Sequence, residues 1–82
     1  MKSIKLENQE QFNKLKKGDV VVVQWKKDSW AYKQYGEITH HNIWGINEAD
    51  ELILNFRRNI YFDVEYFLQG RSFAQEVYFI TV

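Results

Sequence analysis

Asp19-Val20-Val21-Val22-Val23-Gln24-Trp25 is the stretch whose reading decides the fold. Valine is stiff at χ1 and suits pleated backbone better than helix. The run is short for a helix, and it is apolar on both faces, so it predicts a strand covered from both sides. Immediately before it, Gly18 fits the left-handed position that closes a helix. Residues 8–17 supply that helix. Asn8 is the predicted cap, with Gln11 reaching back three residues later. Glu7 and Glu10 suit the positive end of the dipole, and Lys14, Lys16 and Lys17 suit the negative end. Only Phe12 and Leu15 face inward, so the helix cannot stand alone. Ile4 and Leu6, alternating with Lys5, predict an extended arm before it.

On the other side of the valine strand, residues 26–35 (KKDSWAYKQY) read as a long polar loop with interleaved aromatics. Gly36 opens a second strand, Glu37 to His41, running on towards Ile43 and Trp44. Asn47 to Asp50 carry turn chemistry. Leu52 to Phe56 predicts a third strand, ended by Arg57-Arg58-Asn59. Ile60 to Glu65 predicts a fourth, with Ile60, Phe62 and Val64 inward and Tyr61, Asp63 and Glu65 outward. Tyr66 to Gly70 reads as a tight turn, or one turn of helix, carrying two core anchors. The last strand is Glu76 to Val82. Its apolar residues fall on both faces, so either the helix or a second chain is expected to cover one of them.

The expected fold is mainly β with one short N-terminal helix, a single domain over 1–82 with an arm and helix at 1–17 and a five-stranded antiparallel barrel at 18–82. Closure hides strand edges that would otherwise template aggregation. The segments Lys17-Gly18-Asp19-Val20, Gly36-Glu37-Ile38 and Tyr61 through Phe67, in an order of strand, aromatic loop, strand, strand, strand, one-turn helix, strand, resemble the Src homology 3-like small barrel over residues 17–82. The acidic loop and the aromatic pair of its proline-peptide-binding members are missing, so their ligand does not carry over.

Composition narrows the function. A chain of 82 residues buries only about 60–65% of its unfolded surface, and a core of that size supplies about 3–5 kcal/mol. With no cysteine, no disulfide or thiolate-metal staple adds to it. The stability rests on large side chains, and aromatics make up 17% of the residues. A net charge of zero argues against a dedicated polyanion binder. The charge is unevenly spread: residues 1–41 hold eight lysines and five acids, residues 42–82 three arginines and six acids. Neither a signal peptide nor a membrane span is legible, which predicts a cytoplasmic protein.

His40 and His41 are adjacent on a strand, point to opposite faces and do not ligate one ion; no metal and no cofactor is expected. Asp63 and Glu65 share a face with Tyr61, and without a cleft or a nucleophile beside them they read as the wet side of a strand rather than an acid–base pair. The aromatic set is more informative. Trp25, Trp30, Tyr32, Tyr35 and Trp44, interleaved with Lys26, Lys27 and Lys33, form either a lid over the barrel mouth or a recognition surface. Asp28 is the one local acid for a cation cage. Arg57 and Arg58 extend the basic stripe if they lie beside Lys26 and Lys27.

The leading expectation is a non-catalytic protein-binding module, an adaptor or small inhibitor whose Lys-, Asn- and Ile-rich composition suits a bacterial or phage genome. The alternative is a nucleic-acid-binding barrel that stacks bases on its rings and neutralises phosphates with Lys and Arg. A monomer or a homodimer is expected.

Overall fold

A computed structural model describes residues 2–46, 51–55 and 60–81, with backbone alone at 44, 55 and 60. The expected turns at Asn47–Asp50 and Arg57–Asn59, the inward side chain of Ile60 and the end of strand three at Phe56 lie outside the described residues. Among those described there are six strands and three short helices. These are β1 (Lys2–Lys5), α1 (Gln9–Asn13), β2 (Val20–Trp25), α2 (Trp30–Tyr35), β3 (Ile38–Ile46), β4 (Leu52–Asn55), β5 (Ile60–Phe62), α3 (Val64–Leu68) and β6 (Ala74–Thr81).

The strands form one antiparallel sheet in the order β1-β6-β2-β3-β4-β5. The valine run is one of its two central strands, held by β6 on one side and β3 on the other. Val21 and Val23 are buried while Val20 and Val22 are half-buried. The last strand explains its two apolar faces in the same way. Val77 points into the core, and outward-facing Tyr78 and Ile80 pair with Val22 and Val20, so each covers part of its neighbour.

Three expectations are corrected. First, the sheet is not closed: β1 and β5 are its edges. Asp63 caps a helix, so β5 stops at Phe62 after three residues and pairs only along β4. Secondly, the expected arm is a sixth strand, because Lys2–Lys5 pairs with Tyr78–Thr81 and Leu6 N–H then donates to the Val77 carbonyl at 2.8 Å. Thirdly, one helix becomes three, since the aromatic loop contains α2 and the end of the expected fourth strand is the start of α3.

The first helix is capped as read, with Asn8 Oδ1 accepting from Gln11 N–H at 2.9 Å. Gln11 reaches back to Glu7 N–H at 2.6 Å, one residue earlier than the usual box. The helix ends at Asn13, not at 17. Lys16 and Lys17 therefore lie beyond its dipole, and Gly18 (φ 98°) serves a turn in which Asp19 N–H bonds the Lys16 carbonyl and Asp19 Oδ2 accepts from Lys16 N–H. A glycine at the third position of a turn supplies the positive φ this geometry requires.

One cluster holds the core. It takes Leu6, Phe12 and Leu15 from the N-terminal segment, alternate residues of β2 and β4, Ile43 of β3, Phe62 of β5, Ala74 and Val77 of β6, Ala31 of α2 and Val64 of α3. Phe12 stacks on Phe62 at 6.2 Å and meets Phe67 edge-on at 5.7 Å, so α1 covers the inner face where β5 and α3 meet.

Phe12→Ala should leave the chain largely unfolded in a urea titration, because the expected loss of about 3–5 kcal/mol equals the whole margin of so small a core; Phe12→Leu should fold, with a lower midpoint. A second outcome concerns Tyr78, whose hydroxyl donates to the Glu76 carboxylate. That bond holds the phenol above its ordinary value near 10, with desolvation and the Glu76 charge acting the same way. Folding favours the neutral phenol, so the contribution is present below the ordinary value and is lost as pH rises through the raised one. In an ultraviolet titration Glu76→Gln should bring this tyrosine's ionisation to lower pH.

Candidate functional site: an aromatic cleft

The walls of the site are built by helix caps. Ser29 ends the turn after β2. Its hydroxyl donates to the Lys26 carbonyl at 2.7 Å and accepts from Tyr32 N–H at 3.2 Å, which starts α2. Ala31, fully buried, anchors the helix, and Gly36 (φ 94°) stops it with its N–H on the Tyr32 carbonyl. Trp30 and Tyr35 are thereby brought together, ring centroids 5.7 Å apart and inclined at 62°.

Opposite them stands α3. Asp63 Oδ1 accepts from Tyr66 N–H at 2.9 Å and begins the helix. At its other end Gly70 N–H bonds the Phe67 carbonyl and Arg71 N–H the Tyr66 carbonyl, the paired bonds of a Schellman motif. In that motif the residue after the glycine folds back over the helical residue five before it. Here the Arg71 guanidinium lies 4.8 Å from the centre of the Tyr66 ring. The chain then reaches Phe73, whose ring meets Trp30 at 5.8 Å and 78°. Lys26 secures the segment, donating through its backbone N–H to the Phe73 carbonyl (2.8 Å) and through Nζ to the Gly70 carbonyl (3.2 Å).

Trp25 is the floor. Its indole Nε1–H donates to Thr39 Oγ1 at 2.9 Å, and Thr39 Oγ1 lies 2.7 Å from His41 Nε2. The Thr39 hydroxyl thus accepts from the indole and shares a second hydrogen bond with the His41 ring. All three side chains are buried. The remaining face of Trp25 contacts Tyr35 at 5.7 Å.

Between these walls opens a cleft of about 430 Å³. Four of its rings are largely in water: Trp30 is 55% exposed, Tyr61 60%, Tyr66 42% and Phe73 49%. The charged groups of its lining are Asp63 and Arg71.

Of the residues singled out from sequence, Trp25, Trp30 and Tyr35 meet in this cleft. Tyr32 is half-buried against the core. Lys26 is tied to the backbone at Gly70, and Lys27 and Lys33 are exposed but do not line the cleft. The side chain of Trp44, and Arg57 and Arg58, lie outside the described residues. His40 is exposed and His41 buried. Among the described residues no three potential metal ligands converge, and no helix is long and apolar enough to cross a membrane. Tyr61, Asp63, Tyr66, Arg71 and Phe73 were not anticipated as one site. Phe67 and Leu68 are the core anchors of the 66–70 stretch, and Tyr66 faces the cleft, because Asp63 caps a helix that turns Val64 inward and Tyr66 outward. The available signal was Asp63 followed three residues later by Tyr66 and then by Gly70-Arg71.

Set against protein-family models, curated proteins and solved structures, the chain finds no match. What it does must be read from the cleft.

Thr39→Val should cost about 1–3 kcal/mol, because it removes the acceptor of the buried Trp25 N–H. A thermal melt reads the loss, and a shift in Trp25 fluorescence reports the changed floor.

Proposed function

We propose that this domain is a non-catalytic protein-binding module, an adaptor or small inhibitor, and that its partner docks on the aromatic cleft between α2, the β5–α3 junction and residues 71–73. The observation that carries the reading is the exposure of Trp30, Tyr61, Tyr66 and Phe73 around one concavity. Large exposed apolar patches are uncommon on small domains and mark contact surfaces, and Trp and Tyr dominate the binding energy of such surfaces. Pre-ordering favours affinity. Trp30 and Tyr66 stand on capped helices and Phe73 packs on Trp30, so these rings have little side-chain freedom left to lose on binding.

The same carboxylates that might have suggested acid–base chemistry have other roles here. Asp63 caps α3, and Glu65 is exposed in its first turn. We also infer an open form of the Src homology 3-like barrel. The meander β2 to β5, the one-turn helix α3 and the return of β6 beside β2 support it.

Tyr61→Ala and Trp30→Ala should abolish capture of a partner in a pull-down from lysate treated with nuclease. Tyr61→Ala should leave the stability read from a melt within the small range of surface substitutions, about ±0.5 kcal/mol. A partner retained by both variants overturns the reading. Capture that vanishes with nuclease for the unaltered protein would move the assignment to nucleic acid.

A further inference from the structure

We infer that the cleft receives an arginine side chain of the partner, its guanidinium stacked on the exposed rings and bonded to Asp63. This rests on the reading of the cleft as the docking surface. Three observations select a cation over an apolar side chain. Exposed aromatic faces attract cations through the ring quadrupole, and the cleft turns several such faces to water. Trp30 stands steeply inclined to both Tyr35 and Phe73, at 62° and 78°, so the rings make a corner that offers a cation more than one face. The second observation is the carboxylate. Asp63 lines the cleft and is exposed, and one of its oxygens accepts from Tyr66 N–H. Among the described residues the ion pairs are those of Lys5 with Glu7 and Glu76, so Asp63 holds a negative charge with no cation on it. An apolar guest would desolvate that charge without compensating it.

The third observation selects guanidinium. Arg71 already places one over Tyr66 at 4.8 Å, so the cleft binds this group intramolecularly at its rim. A planar guanidinium stacks on a ring while its edge still reaches a carboxylate, which a compact ammonium does less well. Arg71 is thus a competitor for the ring faces and a like charge beside the site. Removing it should strengthen binding of the guest, whereas a purely structural Arg71 would leave binding unchanged or weaken it.

The experiment titrates N-acetyl-arginine amide into the ¹⁵N-labelled full chain and follows the Trp30 indole and the Tyr61 to Tyr66 amides. The neutral isostere N-acetyl-citrulline amide serves as the control. Arginine should shift these resonances saturably and citrulline should not. Asp63→Asn, which keeps a side chain able to cap α3, should weaken binding by about tenfold, the loss expected when a hydrogen bond to a charged group becomes one to a neutral amide. Arg71→Gln should tighten it. Equal shifts from citrulline, or no shifts from arginine, overturn the inference. Either of those results leaves the docking surface intact if Tyr61→Ala still abolishes partner capture. Loss of the docking surface itself is seen separately, as a partner retained by Tyr61→Ala.

Discussion

With no cysteine and a small chain, the sheet must enclose its core through side chains alone, and the contact on which this depends is that of Phe12 with Phe62 and Phe67. Phe12 lies before the first core strand in sequence, whereas Phe62 and Phe67 belong to the edge strand and to the helix after it. Phe62 and Phe67 also touch each other, at 5.4 Å. Three rings from separated segments therefore close the side of the molecule that strand pairing leaves open. Such a triangle removes a large apolar area from water. It also fixes the direction in which α3 leaves β5, and that direction decides which residues of α3 remain outside.

The cleft follows from this placement. Once Phe62 and Val64 are inward, Asp63 is left at the surface with its carboxylate on the Tyr66 amide. Tyr61 and Tyr66, on either side of that cap, project away from the core. Gly70 then reverses the chain and lays Arg71 over Tyr66. On the other wall, Ser29 and Gly36 limit α2 to six residues, with Ala31 inward and Trp30 outward. Each capping device terminates a regular element and at the same time exposes a ring. The cleft is thus a by-product of how the elements end, which is why it sits between the ends of α2 and α3.

The sheet was legible because its evidence is local. Val20–Trp25, Leu52–Asn55 and the first residues of β5 carry period-two or β-branched patterns that packing only confirms. Phe12 of α1 and Leu15 just past its end were readable as an inward pair, and Asn8 as the cap. What was not legible depends on competition between short elements. Trp30 to Tyr35 is a poor helix by propensity, since aromatics lose χ1 freedom there, and six residues show no full amphipathic period. Its helix exists because Ser29 caps it and Ala31 is buried. In the same way Ile60 to Glu65 alternates well enough for a strand, yet Asp63 capping Tyr66 N–H and Val64 entering the core favour the helix. The site was half legible for the same reason: Trp25, Trp30 and Tyr35 belong to the stretch whose excess of aromatics was visible, while Tyr66 and Phe73 are brought to them by turns that the apolar pattern does not encode.

The buried chain from Trp25 through Thr39 to His41 ties these two levels together. A tryptophan at the floor of a cleft could turn its N–H to water. Here it donates inward, to a hydroxyl that is also hydrogen-bonded to the buried ring of His41, two residues along β3. The indole orientation is therefore set by the core rather than by the solvent, and Tyr35 and Trp30 lean in succession on the ring that results. In a low-dielectric interior each such bond is costly to leave unmade, so the floor resists rotation when the cleft is empty. A surface held in this way presents its rings in a fixed arrangement. In a domain with only a few kcal/mol to spare, that rigidity is what allows so much aromatic area to remain in water without the cleft collapsing on itself.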